Sequence, residues 1–171
     1  MRKLTSSLFF GLAFCILSVS SCKKEQDSTP AAEYYVKFKL DGVDKEYSEI
    51  ASAVFTTTVP LHTCSMVGVK QISDTIYEGM QMWIASDTEI VANITYTDAI
   101  VLGRPAASIA YNDGTGEQFS SVIAASSGVQ AVITHMDDNT VTGTFSGTVV
   151  SYTDFTTSHV VTGGQFHLPR F

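Results

Sequence analysis

The chain has 171 residues, of which 44% are hydrophobic and 16% charged, with a mean hydropathy of +0.15. That is far from the charge-rich, apolar-poor composition of disorder, and the length suits one domain. Ten Lys+Arg against seventeen Asp+Glu give a net charge of −7, which argues against a broad basic surface for nucleic-acid phosphates, and three cysteines do not make a paired disulfide framework.

The chain opens with Arg2 and Lys3, followed by an uncharged run from Leu8 to Val19, LFFGLAFCILSV. A charged start and an apolar centre of this length are the pattern of a secretory signal. A membrane-spanning helix needs roughly 20 predominantly apolar residues, and Lys23 and Lys24 on the far side oppose the charge bias of a permanent anchor. Residues 1–21 are therefore expected to be removed. Cleavage there discards Cys15, places Cys22 at the new N-terminus and leaves Cys64 without an intrachain partner.

The cleavage region, Val19-Ser20-Ser21-Cys22, resembles a bacterial lipobox: an aliphatic residue, two small residues and the cysteine that becomes lipidated. The resemblance implies that Cys22 carries the lipid and that the lipid membrane is the first partner of the mature chain. Each buried methylene of an acyl chain contributes about 0.8 kcal/mol, so two or more chains make a stable anchor. Lys23 to Ala32, KKEQDSTPAA, lacks large apolar residues and reads as a flexible tether. Ten residues reach at most roughly 35 Å. The tether thus comprises residues 22–32 and the folded domain residues 33–171. KKE directly after the cysteine also resembles the export signals of Bacteroidota-type surface lipoproteins, which implies an outer-membrane address, at the cell surface or on the periplasmic face.

From residue 22 onward the chain holds 16 Val, 10 Ile and 19 Thr against four Leu. β-Branched side chains fit a pleated surface better than a helix, so an all-β domain is expected. Tyr34 to Leu40, YYVKFKL, alternates strictly, and Asp41-Gly42 supplies the residues of a type I′ turn, with Val43 to Tyr47 returning as its hairpin partner. Further strands are expected at 51–59, 63–70, 76–85 and 90–97. Between Arg104 and Ser126 the pattern blurs: 108–111 and 118–124 read as strands around a glycine-rich turn, with one short helix over 105–110, opened by Pro105, as the alternative. Val129 to Met136, a turn at Asp137-Asp138-Asn139, and Val141 to Val150 form a hairpin, and Val160 to Leu168 closes the chain. Roughly eight to ten strands at this spacing predict an antiparallel β-sandwich, with a closed barrel as the alternative.

Two C-terminal segments, Gly143 to Thr148 (GTFSGT) and Val161 to Phe166 (VTGGQF), together with Phe38 to Val43 (FKLDGV), are similar to those of small Bacteroidota-type surface lipoproteins. This resemblance implies a β-sandwich over residues 34–171 built on turn glycines and inward aromatics. It carries over no catalytic or binding residue.

Chemistry-bearing residues are sparse. The four histidines, at 62, 135, 159 and 167, show no metal-ligand spacing, so neither a metal nor a cofactor is expected. His135 lies near Asp137 and Asp138, yet these acids sit where a turn wants them. Asn112 to Glu117, NDGTGE, lacks the alternating acids of a calcium loop. Cys64 shares a face with Met66 and reads as a buried thiol. No G-x-S-x-G elbow occurs, and a surface hydrolase has no positive signal. The sole tryptophan, Trp83, alternates with Met80, Met82 and Ile84 and shares the opposite face with Tyr77, Gly79 and Gln81. If the Met and Ile face is core, Trp83 and Tyr77 stand beside Gln81 as an aromatic platform for a sugar; the alternative leaves Trp83 simply packed. The sequence thus supports a non-enzymatic, membrane-anchored binding or scaffolding module whose ligand it does not name, with an envelope protein as one candidate partner and a glycan, bound by Trp83, Tyr77 and Gln81, as the alternative.

Overall fold

The computed structural model describes residues 33–171, which are all-β. The expected signal peptide, Cys22 and the expected tether lie outside the described residues. In chain order the strands are β1 (Tyr35–Leu40), β2 (Val43–Tyr47), β3 (Ile50–Thr58), β4 (Leu61–Ser73), β5 (Ile76–Ser86), β6 (Thr95–Thr97), β7 (Ile100–Val101), β8 (Arg104–Pro105), β9 (Ala107–Asp113), β10 (Gln118–Ser120), β11 (Gln130–Met136), β12 (Thr140–Ser151) and β13 (Ser158–Pro169). The expected long strands are present. The count exceeds the expected eight to ten: β7 and β8 fall in no expected strand, and the strand expected over 118–124 is present only as the short β10. The expected strand over 90–97 shrinks to β6. Ile90 is buried in the preceding loop, where the Tyr96 hydroxyl bonds the Val91 backbone. Pro105 opens no helix, because Ala107, Ile109 and Tyr111 alternate inward as a strand.

Hydrogen bonding runs in the order β2-β1-β13-β12-β10-β9-β5-β4-β3, all antiparallel, with β11 and then β6 branching from β12. The long strand β12 makes this possible. Its first half pairs with β11, from Val141 to Ser146, and its end pairs with β10 at Val150 and Ser151. A register shift between Phe145 and Gly147 separates the two halves. A bulge at such a corner bends a strand from one sheet into another. The sheet consequently doubles over into two layers, β2-β1-β13-β12-β11-β6 and β10-β9-β5-β4-β3.

The layers meet closely. A Cβ on Gly68 of β4 would stand 2.5 Å from Val36 Cγ2 of β1, a distance real Cβ atoms do not adopt, so only glycine lets these strands face one another there. Val36, Phe38, Met66, Met80, Met82, Ile84, Ile109, Ile133, Phe145, Phe166 and Leu168 fill one continuous core. Phe38 lies between the layers, with ring centroids 6.3 Å from Tyr111 and 5.9 Å from Phe145. The closed barrel is not formed. Edge strand β3 bonds instead to the chain's end just beyond β13, where the Phe171 N–H donates to Ala53 O at 2.8 Å and Phe55 N–H donates to Phe171 O at 3.2 Å.

Turn chemistry follows the sequence. Asp41 and Gly42 hold φ of 50° and 85°, the two left-handed positions of a type I′ turn. The Asp137 carboxylate accepts from Asn139 N–H at 2.8 Å and Thr140 N–H at 2.7 Å, and Asp154 accepts from Thr156 and Thr157 N–H in the same manner. Asn139 and Thr140 N–H hold the Asp137 carboxyl down to about 2, and the Thr157 hydroxyl with Thr156 N–H does the same at Asp154, also to about 2. Both values lie below those of an unfolded chain, so the stabilisation is full above about pH 4 and is lost as pH falls toward about 2. Thermal unfolding should therefore hold steady from neutral pH to about pH 5 and then drop steeply in acid; a melting temperature indifferent to acid would contradict these turn bonds. Asp137→Asn, which keeps an acceptor oxygen without the charge, should soften the drop.

Candidate functional site

Strand alternation assigns each residue of β5 a face. Met80, Met82 and Ile84 are fully buried, and Tyr77, Gln81 and Trp83 point outward, Tyr77 and Trp83 each 40% exposed. The platform residues thus stand on the outer face of the β10-β9-β5-β4-β3 layer and not in the core.

Register fixes their neighbours. Trp83 is flanked by Ser65 of β4 and Ser108 of β9, Gln81 by Val67 and Ala110, and Gly79 by Val69 and Asn112. Gln118 of β10 continues the last of these rows beyond Asn112. None of these residues is charged, in a chain with seventeen acids and ten bases. The face also carries exposed apolar side chains, with Ile50 and Val54 of β3, Tyr77 and Trp83 all open to solvent. A contiguous patch of this kind marks an interaction surface more often than isolated exposed residues do.

The patch is grooved. A hollow of about 270 Å³ is walled by Tyr77, Gln81, Asn112, Gln118 and Tyr152, the last of these 47% exposed and placed just beyond β12. Gly79 and Ala110 form its low floor. A Cβ at Gly79 would stand 2.5 Å from Val69 Cγ1 and 2.8 Å from the Gly68 carbonyl oxygen, so the floor position admits no side chain. The Gln81 amide is oriented by donating from Nε2 to Ser65 Oγ at 3.3 Å, which leaves its oxygen free to accept. Trp83 lies outside the hollow, farther along β5, with the Arg104 guanidinium 5.5 Å from its ring centroid.

Two tyrosine faces and three amides around an uncharged floor can stack on apolar ring faces and exchange hydrogen bonds with hydroxyl groups. Of the residues singled out from sequence, Tyr77 and Gln81 meet in the groove and Trp83 sits beside it. Asn112, Gln118 and Tyr152 were not singled out. The sequence reads Asn112 as the start of a glycine-rich turn, whereas β9 continues through Asp113 and its alternation sets Asn112 outward with Ser108 and Ala110; nothing local brings that face beside β5.

A second polar group lies between the layers. Glu78 shares the inward face of β5 with Met80, and its Oε1 accepts from Lys45 Nζ of β2 at 2.6 Å and from Tyr111 Oη of β9 at 2.9 Å. Burial alone would raise the Glu78 pKa, but the bonds from Lys45 and Tyr111 outweigh it and hold the carboxyl below its ordinary value. Burial pushes the Tyr47 and Tyr111 hydroxyls upward, with Glu78 adding to both. A carboxylate kept charged and two phenols kept protonated are poor proton carriers near neutral pH. The group bridges β2 to β5 and β9 and acts as a cross-layer tie.

The remaining reactive side chains stay apart. His159 Nδ1 lies 2.5 Å from Asp41 Oδ2, and His135 Nε2 lies 3.4 Å from Asp137 Oδ2. His62 and His167 instead meet Thr57 and Thr142 hydroxyls at 3.2 and 2.8 Å. The histidines with an acid thus lack a hydroxyl, and those with a hydroxyl lack an acid, so no acid-base-nucleophile relay is assembled among the described residues. Cys64 is fully buried, and burial pushes its thiol up to about 12 despite the opposing charge of Arg170. It is an inert core side chain. Compared with protein-family models, curated proteins and solved structures, the chain matches none.

Proposed function

We propose that this chain is an exported envelope lipoprotein, anchored to the outer membrane through lipid on Cys22, whose β-sandwich binds a neutral glycan without chemically altering it. One observation carries the ligand: the groove on the outer face of β4, β5, β9 and β10 combines Tyr77 and Tyr152 with the amides of Gln81, Asn112 and Gln118 and contains no charge. A groove lined without charge in an acidic protein offers no counter-ion for a phosphate, a carboxylate or a basic peptide. Aromatic faces and amides suit a polyhydroxylated, uncharged molecule. The address rests on the lipobox and the charged tether that follows it.

The test has two arms. Full-length chain purified in detergent is titrated with cellulose, xylan, mannan and starch-type glucan. At least one should bind, and Tyr77→Ala should weaken that binding about tenfold, equivalent to about 1.4 kcal/mol, with an unchanged circular dichroism spectrum. Binding of none, or equal binding by Tyr77→Ala, would remove the glycan reading. In the second arm, mass spectrometry should find a diacylated or triacylated N-terminal Cys22, and Cys22→Ser should release the protein from membranes.

A further inference from the structure

We infer, resting on the glycan-binding reading, that the site takes an internal stretch of a linear neutral polysaccharide lying along β5, and not a single sugar or a chain end. Tyr77 and Trp83 stand outward on the same strand six residues apart, about 20 Å at the rise of a β-strand. One sugar ring cannot touch both, whereas a chain of several rings can. Between the two aromatics lie only Gly79 and Gln81 on that face, the first without a side chain and the second an amide. The flanking rows carry Val69 and Asn112, Val67 and Ala110, then Ser65 and Ser108, so no charged side chain of these strands stands between the two aromatics.

Size points the same way. At about 270 Å³ the groove is smaller than the roughly 300–1,000 Å³ of pockets that enclose a small ligand by themselves. Affinity must then accumulate from contacts strung along the strand. Tyr77 and the hollow form the inner subsite. Trp83, braced on one side by Arg104, forms an outer subsite that only a longer chain reaches.

The experiment is isothermal titration of the full-length chain with cello-, xylo- and manno-oligosaccharides, each from disaccharide to hexasaccharide. Affinity should rise at least about tenfold across the series that binds. Trp83→Ala should abolish that rise while leaving the disaccharide within about twofold of the unaltered protein, and Tyr77→Ala should weaken every length. Length-independent affinity, or a Trp83→Ala loss equal for short and long oligomers, would overturn this inference and leave the glycan-binding reading standing. Failure of every oligosaccharide would overturn both, as would a dimer in sedimentation that disperses on Trp83→Ala with no sugar bound.

Discussion

Removing Gly163 to Phe171 is expected to unfold the domain outright. β13 is an interior strand: its residues 161–167 pair with β1, and 158–169 pair with β12. The deletion takes away Phe166 and Leu168, 1% and 0% exposed, and burying each such side chain contributes about 1.5–3 kcal/mol. It also strips the ladder from Tyr35, Val36 and Lys37 on one side and from Thr140 to Phe145 on the other, leaving two raw edges. The bonds from Phe171 to Ala53 and Phe55, which join the end of β13 to β3, go as well. A domain with about 5–15 kcal/mol of net stability does not survive the combined loss. Thermal unfolding checks it, with deletion of Lys23 to Ala32 as the control, since that segment has no large apolar side chain to bury. A cooperative transition in the C-terminal deletion near that of the intact protein would show that β13 is dispensable.

Gly143→Ala is expected to cost about 3 kcal/mol, at or above the upper end of ordinary overpacking. Gly143 lies in β12 opposite Phe166 of β13 and Ile133 of β11. A Cβ there would stand 2.1 Å from the Val132 carbonyl oxygen and 2.4 Å from Phe166 Cζ. The carbonyl belongs to a neighbouring strand, so trimming the Phe166 ring does not relieve the clash. The melting temperature should fall by roughly ten degrees. Gly164, opposite Phe145, is built in the mirrored way, with its would-be Cβ 2.4 Å from the Phe145 oxygen. Each glycine therefore leaves room for the ring of its cross-strand partner. Gly42→Ala is the comparison: nothing lies within 4 Å of its would-be Cβ, and only the positive φ resists, at about 1–2 kcal/mol. A Gly143→Ala protein as stable as Gly42→Ala would mean that these strands are not packed in this register.

These glycines also revise the meaning of the C-terminal segments GTFSGT and VTGGQF. The sequence presents their glycines as turn residues beside inward aromatics. The aromatics do point inward, but Gly143 and Gly164 lie within strands. Their role emerges only when β12 and β13 are aligned. Glu78 makes the same point for polar residues. Its alternation with Met80 and Met82 places a carboxylate on the apolar face of β5, a legible anomaly, but the lysine that neutralises it arrives from β2, more than thirty residues away.

By itself the sequence determined what depends on short-range geometry. Alternation in YYVKFKL set the buried face of β1, Asp41-Gly42 set the first turn, and the alternation of β5 put Tyr77, Gln81 and Trp83 together on the face opposite Met80, Met82 and Ile84. These follow because a strand repeats every two residues and a tight turn is chosen by the φ its own residues tolerate. Only the tertiary structure decided which of the two faces of β5 is core, that the sheet doubles over and stays open, that β9 and β10 lie beside β5, and that Tyr152 reaches the groove. Every strand edge offers the same backbone donors and acceptors, so no local pattern names its neighbour. That choice was made by the packing of the whole core, through contacts such as Gly68 against Val36 and the bend of β12 at Gly147.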